Sequence, residues 1–183
     1  MNVFPADNQQ RLLAEAGLVA YFTALWVDIG DLGEVARRLH IAEDTRVVCG
    51  FKTALKSHDP GSLSRTVWIS SLTPDWSLIL HLTGGHMPDA TELSVGGHRV
   101  FDITHLEEEI IPIGYSIDGN NLGEIFSHEE YSQYWADLED DPGLSLDEEL
   151  EQQLCVMGRI TGRFLDREWL ASPGVLGELS PSH

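Results

Sequence analysis

Residues 66–82, with the sequence TVWISSLTPDWSLILHL, decide the fold of this chain. Residues 66–70 and 76–82 are rich in the β-branched, aromatic and aliphatic side chains that favour strands, and Pro74-Asp75 between them is a turn signal. Every second residue of the latter segment is Trp or Leu, which is the alternation of a strand with one apolar face. The pattern predicts an antiparallel hairpin at the centre of the sheet.

Segments on both sides of this hairpin predict the remaining elements. Further strands are expected at residues 47–51, 98–104, 110–117 and 122–126. The predicted architecture is a single α+β domain over residues 1–183, with an antiparallel sheet of about five to six strands that N- and C-terminal helices cover on one face. Its expected parts are N-terminal helices at about 8–40, the sheet at about 46–127, C-terminal helices at about 128–171 and a flexible tail at 172–183.

Local signals fix three points along the chain. Asp31 is the predicted N-cap of a short helix, and Ser145 with Glu148 forms a predicted capping box at the start of the last long helix. Asp118-Gly119 predicts a hairpin turn. The segment from Asp118 also partly fits a calcium loop, but its fifth position is Leu122, which cannot ligate a cation through its side chain.

Negative charge is concentrated in one part of the sequence. The 183-residue chain has a formal net charge of −19, and the 59 residues between Arg99 and Arg159 contain 16 Asp and Glu but no Lys or Arg. Such a segment repels nucleic acid and anionic lipid and attracts a basic partner. The charge therefore favours a monomer or a heteromeric complex with a basic protein, and disfavours nucleic-acid or membrane binding.

The remaining composition indicates a cytoplasmic protein. No long apolar segment or secretory signal is recognised at the sequence level, and Cys49 and Cys155 lie in apolar segments typical of buried thiols. Two unpaired cysteines suit a reducing compartment. No cofactor motif is recognised, so no cofactor is expected.

The acidic segment supplies the first candidate site. Carboxylates surrounding aromatic anchors are what a binder of a basic protein uses. Tyr131 and Trp135 are four residues apart and share one face of a predicted helix, so they are the expected anchors. Docking of that helix on the sheet is the more common role of such a pair and explains the same spacing. The predicted partner-binding residues are Glu107, Glu108, Glu109, Glu129, Glu130, Tyr131, Trp135, Glu139, Asp140 and Asp141.

A histidine-rich stretch supplies an alternative candidate site, for a metal ion or for acid–base chemistry. Its members are His81, His86, His98, Asp102 and His105. Strand alternation places His98 and Asp102 on one face and His105 on the other, so no complete metal site is predicted. Solvated histidines at loops and strand ends explain the same residues.

Three segments together resemble a known family. They are residues 33–39 (GEVARRL), residues 75–80 (DWSLIL) followed by Gly84-Gly85, and residues 159–170 (RITGRFLDREWL). Their order, from about Tyr21 to Leu179, resembles a family of small, uncharacterised actinobacterial proteins classed as a domain of unknown function. The resemblance implies a small α+β fold like that of immunity proteins, and it implies no catalytic residues. The histidine-rich loop and the acidic hairpin have no counterpart in it.

Three functional hypotheses follow. The first is an acidic, cytoplasmic protein-binding module, an immunity or inhibitor protein that neutralises a basic toxin or nuclease. The second is an enzyme or metal-dependent small-molecule binder that uses the histidine-rich stretch. The third is a scaffold subunit, which large exposed apolar patches would favour. The absence of a catalytic motif makes the first hypothesis preferable to an enzyme.

Overall fold

An antiparallel sheet of eight strands forms the centre of the protein in a computed structural model, which describes residues 3–58, 65–82, 89–138 and 143–179. The strands are β1 Phe22–Val27, β2 Val47–Gly50, β3 Thr66–Ser71, β4 Ser77–His81, β5 Arg99–His105, β6 Ile110–Ile117, β7 Asn120–Glu124 and β8 Pro173–Glu178. Their order across the sheet is β2-β8-β3-β4-β1-β5-β6-β7. The α+β class and the antiparallel sheet are confirmed, whereas the predicted number of five to six strands is wrong.

The hairpin that the sequence predicted most strongly lies near the middle of the sheet. β3 pairs with β4 from Val67 opposite His81 to Ser71 opposite Ser77. β1 then pairs on the other side of β4, and β5 on the other side of β1. The strands β3, β4, β1 and β5 therefore form the middle of the sheet.

The two strands missing from the sequence prediction are β1 and β8. All six residues of β1 are buried, so the strand shows no alternation and resembles a continuation of the apolar N-terminal helix. Residues 173–178, which were expected in a flexible tail, form β8 between β2 and β3. Two glycines in β8 weaken the sequence signal for a strand, because glycine has low strand propensity.

Helices cover both faces of this sheet. They are α1 Gln9–Ala16, α2 Leu32–Arg38, α3 Phe51–Ser57, α4 Ala90–Ser94, α5 Leu146–Thr161 and α6 Arg167–Ala171. One face of the sheet, called the first face, packs against apolar residues of α1, α3, α5 and α6. The other, called the second face, packs against α2 and α4. Expecting one covered face was therefore wrong, since buried clusters lie on both sides.

The predicted helix signals are present in the structure. The Asp31 side chain accepts hydrogen bonds from the backbone N–H groups of Gly33 and Glu34. Ser145 and Glu148 form the predicted capping box of α5. The segment expected as a helix at residues 129–138 is instead the 3-10 helix Glu129–Tyr134, and two shorter 3-10 helices span Glu43–Thr45 and Ile125–Ser127.

Asp118-Gly119 forms the turn between β6 and β7, as its sequence predicted. Asp118 has a φ of 47° and its carboxylate accepts hydrogen bonds from the backbone of Gly96 and Gly97. The hairpin therefore explains this segment without a calcium ion. Within the described ranges, no helix combines the length and apolar character needed to cross a membrane.

Candidate functional site

Three glutamates project from the turn between β5 and β6. Glu107, Glu108 and Glu109 are all exposed, and the backbone N–H of Leu106 donates to the carbonyl of Glu109 at 2.9 Å. This short connection holds three like charges close together at one end of the sheet.

The first turn of α5 carries three further carboxylates, on Asp147, Glu148 and Glu149. Negative charge at a helix N-terminus is stabilised by the helix dipole, so this position tolerates three acidic residues. The Glu148 carboxylate also accepts hydrogen bonds from the backbone N–H and the hydroxyl of Ser145, which lower the pKa of Glu148. A local cap thus fixes one acidic cluster in place.

His105, the last residue of β5, links the two clusters along the chain and through space. His105 lies two residues before Glu107, and the negative charge of Asp147 acts on its imidazole. Burial has the larger effect on this group and lowers the pKa of His105. We call the six carboxylates of these two clusters the acidic end: Glu107, Glu108, Glu109, Asp147, Glu148 and Glu149.

The acidic end is not neutralised by nearby cations. Within the described part of the chain, none of its six carboxylates forms an ion pair with Lys or Arg. Its polar contacts are to neutral groups, such as the 2.8 Å hydrogen bond from the Gln10 amide to Asp147. The charge therefore remains available to a partner.

Tyr21 is an exposed aromatic residue at the acidic end that sequence reasoning missed. Its hydroxyl donates a hydrogen bond to Glu107, which raises the pKa of Tyr21. The side chain is 52% exposed and the backbone φ is 57°, an uncommon value for a bulky residue. Such strained backbone is concentrated at functional sites, where the surrounding structure maintains it. No sequence motif marks this residue, because the preceding apolar segment resembles a helix.

The second predicted acidic group lies elsewhere on the protein. Glu129 and Glu130 are exposed at the start of their 3-10 helix, but Tyr131 is buried and its ring lies 5.5 Å from that of Phe101 and 5.4 Å from that of Tyr115. Tyr131 therefore holds the 3-10 helix on the sheet, which corrects its assignment as a surface anchor.

Trp135 is partly buried rather than fully accessible. Its ring packs edge-on against Phe126, with 5.0 Å between ring centroids. The two expected anchors consequently differ in environment, since Tyr131 lies in the core and Trp135 lies at its border. Glu139, Asp140 and Asp141 lie outside the described residues.

A cleft of about 500 Å³ adjoins the acidic end along α5. Its lining includes three carboxylates, from Asp7, Asp137 and Glu151, and Glu151 follows Asp147 by one helical turn. Asp137 is paired with Arg159 at 2.7 Å, whereas burial raises the pKa of Glu151. The cleft thus extends the acidic surface between the N-terminal segment and α5.

The histidine-rich stretch is distributed over the sheet rather than gathered at one place. His98 is 3.2 Å from Asp28 at the start of β5, whereas His105 ends that strand on the opposite face from Asp102. His81 is buried in β4, where burial, aided by the charges of Arg65 and His58, lowers its pKa to about 4. His86 lies outside the described residues.

Asp102 is the most unusual carboxylate of this set. It lies over Gly114 on the second face of the sheet, where a Cβ on Gly114 would be 2.5 Å from its Oδ1. Burial raises the pKa of Asp102. In the described part of the chain, no group of three or more His, Cys, Asp or Glu side chains is arranged to hold a metal ion.

Comparison with known proteins does not extend these observations. No family model, curated protein or solved structure matches the chain. The resemblance to small actinobacterial proteins and to immunity proteins therefore stays a prediction.

Proposed function

We propose that this protein is an acidic binding module whose partner is a basic protein, as an inhibitor or immunity protein of a cationic toxin or nuclease would be. The observation that carries the proposal is the acidic end, whose six carboxylates from two segments have no Lys or Arg partner among the described residues. Like charges held together cost free energy in the isolated protein. A cationic surface would convert that cost into attraction.

The shape of the acidic end also favours a protein partner. Tyr21 provides an exposed aromatic ring beside Glu107, and aromatic residues surrounded by charge dominate the energetics of many interfaces. The adjoining cleft along α5 is large enough to accept a basic side chain from the partner. The same charges would repel a nucleic acid. If the partner is a nuclease, the acidic end would therefore bind the cationic surface of the nuclease itself.

A direct test begins with capture of basic proteins on the immobilised chain at low salt, followed by titration calorimetry with the purified partner. The variant E107K/E108K/E109K should weaken binding by about a hundredfold or more, because it replaces attraction by repulsion at the contact. The affinity of the native protein should also fall steeply as salt is added.

The control variant D75K/E92K/E168K changes the net charge by the same amount at three exposed positions away from the acidic end. It should bind nearly as tightly as the native protein. Equal weakening by both variants would show that net charge alone drives association, and would contradict a site at the acidic end. Failure to bind any basic protein at low salt would overturn the proposed function.

The alternative proposal is a metal-dependent or small-molecule binder on the second face of the sheet. It is favoured by one observation, the largely buried Asp102 carboxylate on the same face as His81. Elemental analysis of the purified protein tests it. A stoichiometric metal that is lost in both H81A and D102N would support this site, whereas metal-free protein with unchanged thermal stability in chelator would remove it.

A further inference from the structure

The edge strand β2 presents an open, apolar end of the sheet. Within the described residues, β2 pairs with β8 on one side and with no strand on the other. Val47 is 54% exposed and Val48 is 74% exposed, although both belong to a strand. Unpaired backbone groups beside exposed valines form a template for another strand.

The opposite edge of the sheet is protected and serves as a comparison. β7 has a register shift against β6, and Gly123 within it has a φ of 83°. Bulges and left-handed glycines twist an edge and hinder further pairing. The four residues of β2 contain no charge and no proline, and its pairing with β8 has no register shift.

Charged residues flank β2 in a self-complementary order. Glu43 and Asp44 precede it and are exposed, whereas Arg46, between them and the strand, is half-buried and donates a hydrogen bond to the carbonyl of Ile41. Lys52 and Lys56 follow the strand and are exposed. These are the only two lysines of the chain. Antiparallel pairing of two identical segments places the acidic flank of one beside the basic flank of the other.

We propose that β2 pairs antiparallel with β2 of a second copy of this chain, which gives a two-fold dimer with one continuous sheet. The exposed valines of each copy are covered by the other, and the flanking charges pair across the two-fold axis. In this dimer the two copies meet at the edges that carry both lysines of each chain. Net charge alone would instead favour a monomer.

Distance limits the repulsion between the two strongly negative chains. Five strand spacings separate β2 from β5, which amounts to about 24 Å within one copy. The acidic ends of the two copies are then separated by much more than the screening length of about 8 Å at physiological salt. The acidic end also remains free for a basic partner, so the dimer and the proposed function are independent.

Sedimentation equilibrium of the full chain over a range of concentrations tests the proposal. The native protein should show a reversible monomer–dimer equilibrium, and V48K should shift it at least tenfold toward monomer because it places a charge on the edge. V95K, at another exposed valine (53% exposed), should dimerise like the native protein. A native protein that stays monomeric at its highest soluble concentration would overturn the proposal, as would open-ended polymers or dimers unaffected by V48K.

A charge exchange tests the antiparallel arrangement. E43K/D44K should weaken the dimer, because the new lysines face Lys52 and Lys56 of the other copy. Adding K52E/K56E to that variant should restore the native dimerisation constant. Loss of dimerisation that the four changes together do not restore would contradict antiparallel pairing. Thermal unfolding of each variant separates these outcomes from loss of the folded monomer.

Discussion

The His81 imidazole is enclosed in the central strands, where only 2% of its surface remains exposed. It pairs across the backbone with Val67 on one side and Thr23 on the other, so β4 cannot move it toward solvent without breaking two ladders. Burial, with the positive charges nearby, lowers the pKa of His81 to about 4. The residue is therefore neutral in the folded protein at physiological pH.

This lowered pKa predicts a specific dependence of stability on pH. The unfolded chain binds a proton at the ordinary pKa of about 6.5, so the folded state loses stability as the pH falls from there toward 4. Between about pH 7 and pH 5 the native protein should lose about 2 kcal/mol more unfolding free energy than H81Q. Urea unfolding at both pH values measures this difference.

If H81Q and the native protein gave parallel pH profiles, His81 would not be the group that titrates in this range.

At the scale of elements, β8 connects the chain terminus to the middle of the sheet. It pairs with β2 on one side and β3 on the other, so the edge strand is attached to the sheet only through β8 among the described strands. Gly174 lies where a Cβ would be 2.5 Å from the carbonyl oxygen of Ile69 and 2.5 Å from the Trp68 ring. Only glycine permits this close approach of backbone and indole.

Substitution of Gly174 should therefore weaken the whole edge of the sheet. G174A should lower the unfolding free energy by about 1–3 kcal/mol, because backbone and a fully buried ring must both shift. The neighbouring strand supplies a matched control, since a Cβ on Gly50 would meet no atom within 4 Å. G50A should change the unfolding free energy by no more than about 0.5 kcal/mol, because restriction of the unfolded chain offsets the poorer N-cap that alanine makes for α3. Equal effects of the two variants in urea unfolding would contradict this account.

The same two strands show what local sequence could and could not predict. The caps at Asp31 and Ser145 were predicted because their side chains act on nearby backbone, and the turn at Asp118-Gly119 because both residues tolerate a positive φ. β1 and β8 were missed because their strand character depends on distant partners: β1 is buried on both faces, and the glycines of β8 fit beneath Trp68 and Ile41. Strand propensity is set by such tertiary context.

The candidate site was predictable to a similar extent. Glu107, Glu108 and Glu109 were found because a run of acidic residues beside a strand is visible in sequence. The approach of Asp147 to the end of β5, and of Tyr21 to Glu107, depends on the packing of α5 and on the start of β1. Tyr131 was misassigned because a helical spacing does not distinguish a solvent-facing ring from one that docks on the sheet.

For the whole molecule, the distribution of charge is the dominant property. The net charge is −19, and 16 of the acidic residues lie in the segment without Lys or Arg. Where cations are available, carboxylates are paired: Glu34 contacts both Arg37 and Arg38 at 2.7 Å, and these contacts lower the pKa of Glu34 to about 2. The acidic end has no such partners in the described ranges, so its carboxylates repel one another.

This contrast predicts opposite responses to neutralisation and to salt. E108Q should raise the unfolding temperature at low ionic strength, because it removes repulsion, and E34Q should lower it, because two guanidinium contacts are lost. Added NaCl shortens the screening length from about 30 Å at 10 mM to about 8 Å at 150 mM, so the gain from E108Q should shrink as salt is added. Calorimetry at both salt concentrations measures these changes. If E108Q stabilised the protein equally at high salt, the stabilisation would not come from charge. The carboxylates of the acidic end would then lack the mutual repulsion that a basic partner is proposed to relieve.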